Sequence, residues 1–152
     1  MDFSPGMLRV ARRAAADAWL VRADLDREFP IRRGVFDAVL STLVSEHLTD
    51  LRSFFEEAYG ALRPGGRLVF SAFHPDPARA GVEANFEQHD TEYRLGAEPY
   101  RVEDYLDRIE DAGFRALRWS EHAPDGALLE SLPEAAKYAG CPLLLLVSAA
   151  RP

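Results

Sequence analysis

Residues 34–75 read GVFDAVLSTLVSEHLTDLRSFFEEAYGALRPGGRLVFSAFHP, and this stretch decides the fold. Val35 to Leu40 is apolar and β-branched apart from Asp37, the pattern of a buried strand. Thr49 or Asp50 can cap a helix start. Leu51, Phe54, Phe55, Ala58 and Leu62 follow at helical spacing and make one apolar face, while Arg52, Glu56 and Glu57 take the wet side. Arg63-Pro64-Gly65-Gly66 ends the helix and turns the chain. Leu68 to Phe73 is a second apolar strand. A helix of this length brings the chain back beside its starting strand, so the spacing predicts a right-handed β-α-β crossover.

Towards the N-terminus, Ser4 can cap a helix with Pro5 in its first position, and the helix is expected to run to about Asp17. Met7, Leu8, Ala11, Ala14 and Ala15 form its apolar stripe. Trp19 to Ala23 reads as a short strand ending at Asp24. Towards the C-terminus, Asp76 to about Tyr100 is irregular, with one helical turn expected near Val82 to Glu87. Loops this long are often functional, so residues 76–101 are a candidate substrate cap, with an ordinary surface excursion as the alternative. Val102, Tyr105, Leu106 and Ile109 mark another helix, stopped at Gly113. Ala116 to Glu121 and Leu143 to Ala149 complete the strands, with a helical turn near Glu134 to Tyr138 between them. Helices alternating with strands in this way predict an α/β sheet.

The chain has 152 residues, enough for one domain with a real core. Its 47% hydrophobic and 28% charged residues are those of an ordinary soluble globular protein. A formal charge of −7 argues against nucleic-acid phosphates as partners, and Arg9, Arg12 and Arg13 read as a solvated helix face. Cys141 is the sole cysteine and is expected to be a buried thiol, consistent with a cytoplasmic setting. The apolar run from Pro142 to Ala150 is too short to span a membrane, and no signal-peptide pattern is seen. No His/Cys/Asp/Glu grouping has metal-ligand spacing, so no metal is expected.

Four motifs together resemble class I S-adenosylmethionine-dependent methyltransferases. They are Asp2-Phe3-Ser4-Pro5-Gly6-Met7-Leu8, Ala23-Asp24-Leu25, Phe36-Asp37-Ala38-Val39-Leu40-Ser41 with Glu46-His47-Leu48, and Leu62-Arg63-Pro64-Gly65-Gly66-Arg67-Leu68. Each is weak alone; their order and spacing carry the resemblance. It implies a Rossmann-like, mostly parallel sheet with helices on both faces and an antiparallel last strand. It also implies a single but incomplete domain over residues 1–152, truncated at its N-terminus. The family's first strand and its Gly-rich cofactor loop have no counterpart ahead of Asp2. Three explanations stand: a start further upstream, a segment supplied by another chain, or a relic that no longer methylates.

By the same resemblance, S-adenosylmethionine is the implied cofactor. Asp2 corresponds to the carboxylate that holds the ribose hydroxyls, and Phe3 to the residue beside adenine. Asp24 and the Leu25 N–H correspond to adenine contacts, and Ser41 and Thr42 to contacts with the amino-acid end. The bland alternatives are a helix-start Asp, loop residues and strand-end caps. His47 and His74 are candidate bases at one edge of the sheet, each equally readable as structural. The expected activity is methyl transfer to a small-molecule acceptor. The rival expectation is a non-enzymatic remnant or partner subunit that assembles through its exposed sheet edge, as a homodimer or by strand exchange.

Overall fold

The computed structural model describes residues 1–79, 85–89, 91–94, 98 and 100–152. Strand β1 (Phe36–Thr42), helix α2 (Leu51–Ala61) and strand β2 (Leu62–Phe73) form the crossover the sequence predicts. Asp50 caps α2, its side chain accepting from the Ser53 N–H at 3.0 Å. The predicted apolar face of α2 is buried throughout: Leu51, Phe54, Phe55, Ala58 and the following Leu62 all belong to the core. Each large side chain there contributes about 1.5–3 kcal/mol by leaving water. Phe54, Phe55 and Phe70 meet edge to face along this seam.

β1 and β2 are parallel, in register from Ala38↔Arg67 to Thr42↔Ser71. Phe36 pairs with Leu62 before this run, so Arg63 to Gly66 bulges out between the two pairings. Gly65 makes that turn with φ +79°, which a side chain would strain. The sheet order is β1-β2-β6-β5, where β5 is Arg115–His122 and β6 is Leu144–Ala150. β6 runs antiparallel to both neighbours, so β1, β2 and β5 share one direction and only the last strand opposes them. This is the mixed α/β sheet with an antiparallel last strand that the sequence led us to expect.

Helix α4 (Val102–Asp111) packs beside α2 and buries Tyr105 and Ile109 in the same core, the Tyr105 ring 5.4 Å from that of Phe70 on β2. Arg151 closes the end of α2: its Nη1 donates to the Tyr59 and Leu62 carbonyls at 2.7 and 2.6 Å. Its guanidinium also lies 4.4 Å from the Tyr59 ring centre. Helix α1 is shorter than expected, Pro5–Ala14, with Ser4 as its cap. The segment 76–101 contains helix α3 (Pro75–Arg79) and a hairpin of β3 (Asn85–Gln88) and β4 (Thr91–Arg94). The helical turn expected near Val82 to Glu87 falls partly outside the described residues, and its described end is strand β3. Helix α5 (Gly126–Ser131), not foreseen, precedes a 3-10 turn at Pro133–Tyr138, where a helical turn was expected.

Three expectations are corrected. The strand expected to be buried from Val35 to Leu40 is mostly exposed, with Phe36, Asp37, Ala38 and Leu40 open to solvent, because β1 pairs only with β2 among the described residues and lies at the sheet edge. Trp19 to Ala23 is not a strand; it makes a single parallel bridge, Asp2↔Arg22, and Trp19 is 97% exposed. A strand needs a neighbour along its length, and this segment meets one only at its end. Cys141 is exposed, not buried. Gly140 turns with φ +79° and the Cys141 N–H bonds the Tyr138 carbonyl, so the thiol sits on a turn ahead of the apolar strand.

Candidate functional site

The carboxyl end of β1 and the segments around Asp2 and Asp24 enclose two adjoining cavities. The larger, about 410 Å3, is lined by Met1, Asp2, Phe3, Ser4, Asp24, Leu25, Asp26, Val44, His47 and Leu48. The second, about 270 Å3, runs from Met1, Asp2, Leu25 and Val44 to Val39, Leu40, Ser41 and Thr42, with Phe29 and Phe54 on its floor. Met1, Asp2, Leu25 and Val44 border both, so together they make one trough. Its size suits a small organic ligand.

Backbone pairing sets this geometry. The Asp2 N–H bonds the Val21 carbonyl at 3.2 Å, and the Ala23 N–H bonds the Asp2 carbonyl at 3.1 Å. The bridge holds the Asp2 and Asp24 segments side by side although they are far apart in sequence. The Asp2 Oδ1 accepts from the Ser4 N–H at 2.7 Å, which leaves Oδ2 without a donor among the described residues. Phe3 is exposed, with the Arg22 guanidinium 5.8 Å from its ring centre. The Asp24 Oδ1 takes the Asp26 N–H, and its Oδ2 pairs with the exposed Arg27 at 3.1 Å.

Asp26 was not foreseen as part of the site. Its Oδ1 accepts from the Thr49 and Asp50 N–H groups at 2.9 and 3.1 Å, and its Oδ2 from the Thr49 hydroxyl at 3.0 Å. It thereby fastens the cleft wall to the amino end of α2, where a negative charge is favoured. Val44, Leu48, Met1 and Ser4 also line the cleft without having been expected among the cofactor contacts. The only local signal was their adjacency to residues that had been.

At the β1 exit, Leu43 adopts φ +50°, a left-handed conformation uncommon for a side-chain-bearing residue. Just before it, Ser41 is buried and its hydroxyl has no hydrogen-bond partner. Thr42 is exposed beside it. The two histidines differ. His47 is exposed on the cleft wall. His74 is 1% exposed and lies in neither cavity. Its Nδ1 accepts from the Asp76 N–H at 3.2 Å, and its Nε2 faces Glu121 Oε1 at 3.2 Å. The ring is therefore held with its proton on Nε2, donating to the carboxylate.

These residues fit the adenosine half of the implied cofactor. The Asp2 carboxylate has an oxygen to spare for a hydroxyl, the Leu25–Phe29–Phe54 floor is apolar, and the unpaired Ser41 hydroxyl borders the cavity. Glycine contributes nothing to either lining, so the described residues include no close-approach loop for the methionine end. Among the described residues no His/Cys/Asp/Glu group is arranged to hold a metal, and no helix is long and apolar enough to cross a membrane.

Comparison with known proteins places this geometry in context. Residues 1–70 match the family model described as "Methyltransferase domain". The chain is 40% identical over 73 residues to a malonyl-[acyl-carrier protein] O-methyltransferase of Hahella chejuensis, a match covering 46% of this chain and 25% of that protein. It is 33% identical over 99 residues to a demethylmenaquinone methyltransferase of Streptomyces avermitilis, covering 64% of this chain and 40% of that one. The matches thus span well under half the length of these curated relatives. A solved S-adenosylmethionine-dependent methyltransferase from Mesorhizobium loti superposes with TM-score 0.76 at 27% identity, covering 98% of this chain and 77% of that one. A second such structure, from Listeria monocytogenes, gives TM-score 0.77 at 20% identity, a likeness of fold.

Proposed function

For a chain with the class I S-adenosylmethionine-dependent methyltransferase fold, we propose that the trough at the carboxyl end of β1 binds S-adenosylmethionine and that the protein methylates a small-molecule acceptor. One observation carries this reading: Asp2, Phe3, Asp24, Leu25, Ser41 and Thr42, scattered through the sequence, line two cavities that share a wall. The cofactor supplies an activated methyl group on its sulfonium. Asp2 Oδ2 accepts from the ribose hydroxyls, with the Phe3 ring beside the base. Asp24 and the Leu25 N–H read the adenine edge, and Ser41 and Thr42 face the amino-acid end. In-line displacement needs mainly orientation from the protein. Where the acceptor carries a proton, the exposed His47 takes it. His74, with both ring nitrogens engaged, positions the β2 exit and the start of the 76–101 segment. That segment serves as the acceptor's cap. The relatives named for malonyl-[acyl-carrier protein] and demethylmenaquinone suggest an acceptor that is a small or carrier-borne molecule. The test is calorimetry with S-adenosylhomocysteine on the wild type and on D2N and D24N. Loss of affinity in both variants supports the assignment, and unchanged affinity in both refutes it.

A second reading has its own observation. Among the described residues β1 pairs only with β2, and Leu40 on it is 71% exposed. An open edge beside an apolar side chain is a template for pairing. In this reading the chain is a partner subunit or homodimer built through β1. Sedimentation equilibrium separates the readings, since edge assembly requires a concentration-dependent mass.

A further inference from the structure

One wall of the larger cavity is a single turn of chain: Val44, His47 and Leu48 line it, around a 3-10 turn at Ser45–His47. The turn's own backbone bonds run from the His47 N–H to the Val44 carbonyl and from the Leu48 N–H to the Ser45 carbonyl, both 3.1 Å. The carbonyls on either side of His47 take their donors from far along the chain. The Glu98 N–H bonds the Glu46 carbonyl at 2.8 Å, and the Tyr100 hydroxyl donates to the Leu48 carbonyl at 2.7 Å. Tyr100 is itself anchored. Its ring packs on the core and meets the Tyr105 ring edge to face at 5.6 Å, and Tyr105 is fully buried. The hydroxyl therefore acts as a strut between the core and the cleft wall.

We infer that Tyr100 is a positioning residue for the cofactor trough: its hydroxyl, through the Leu48 carbonyl, holds Leu48 and His47 at the spacing from Asp2, Phe3 and Asp24 that the adenosine half requires; this rests on the S-adenosylmethionine reading. Tyr100 lines neither cavity of the trough and acts only through the turn. Asp26 fixes the far end of that wall, at the Thr49 and Asp50 N–H groups, and Tyr100 fixes its middle. Removing the hydroxyl leaves the Leu48 carbonyl without its donor, so the turn relaxes to find another. A ligand site tolerates displacements of only about 0.5 Å before affinity falls. The strut also depends on protonation, because a phenol donates whereas a phenolate only accepts. Burial, first, and then Glu98, Asp26, Asp50 and Asp104 raise this hydroxyl above its ordinary 10.0. Arg52 and Arg108, the cations near it, line a further small cavity with Tyr100. The strut is thus intact at neutral pH and is lost above pH 10.

Calorimetry with S-adenosylhomocysteine and with 5′-methylthioadenosine, on the full wild-type chain and on Y100F, tests this. Y100F keeps the ring against Tyr105 and loses the hydroxyl alone. Both ligands should bind it about tenfold more weakly than they bind the wild type, and by the same factor, since the wall faces the adenosine they share. Titration at stepped pH adds a readout that lost packing would not give. 5′-Methylthioadenosine carries no group that ionises in the tyrosine range, so wild-type affinity for it should hold to pH 10 and fall above it, while Y100F stays level. Thermal unfolding at each pH fixes a temperature at which both proteins are folded. Three results overturn the inference and leave the cofactor reading standing: wild-type affinities that Y100F leaves within about twofold, a loss confined to S-adenosylhomocysteine, or a wild-type profile as level as that of Y100F. Binding of neither ligand to the wild type overturns both.

Discussion

The Asp26 carboxylate accepts the Thr49 N–H at 2.9 Å across 23 residues of sequence, and this contact ties the cleft to the helix of the central crossover. Its second oxygen takes the Thr49 hydroxyl, so one side chain satisfies orphan donors at the α2 start while shaping a wall of the trough.

D26A therefore acts on stability and on binding together. Losing an N-terminal carboxylate with these bonds costs about 1–2 kcal/mol. Urea denaturation should show that loss, and calorimetry should show weaker S-adenosylhomocysteine binding. D26N, which keeps an acceptor oxygen, should lose less of both.

The two histidines should separate cleanly. His74 is buried and bonded through both nitrogens, so H74A should cost about 1–3 kcal/mol. His47 is exposed, and H47A should change stability by less than about 0.5 kcal/mol. Thermal unfolding of the two variants reads the difference directly.

Tyr105 gives the fold a pH dependence at its alkaline end. Burial raises its hydroxyl from the usual 10.0 to about 12, so in this window the unfolded chain ionises first. The contribution is intact below pH 10 and is lost as pH rises from there towards 12. The full loss is about 2–3 kcal/mol. Y105F should flatten that part of the stability profile, measured by denaturation at stepped pH.

Arg151 donates to carbonyls at the end of α2 and stacks on Tyr59. R151A leaves those carbonyls short of a charged donor and should cost about 2 kcal/mol, with R151K recovering only part because it cannot fork. Chemical denaturation of the pair tests this.

The central crossover was legible because its signals agree: a strand apolar apart from Asp37, a helix whose apolar positions recur at the right spacing, and a Pro-Gly-Gly turn. Leu51, Phe54, Phe55 and Ala58 are buried as their spacing requires. Trp19 to Ala23 misled because β-prone composition says nothing about whether a neighbouring strand exists. Cys141 misled because the apolar run begins only after the Gly140 turn. Most of the candidate trough was legible through motif order, since Asp2 and Asp24 are brought together by backbone pairing. Asp26 was not, because its partners lie on another element. The state of His74 was hidden for the same reason: Glu121 reaches it from β5, 47 residues away.

The most direct measurement is titration of S-adenosylhomocysteine into the isotope-labelled chain, followed by amide NMR. Saturable micromolar binding, with shifts concentrated at Asp2, Asp24, Leu25, Ser41, Thr42 and His47, is the expected result. Absence of saturable shifts, or shifts confined to residues away from the trough, would contradict the account.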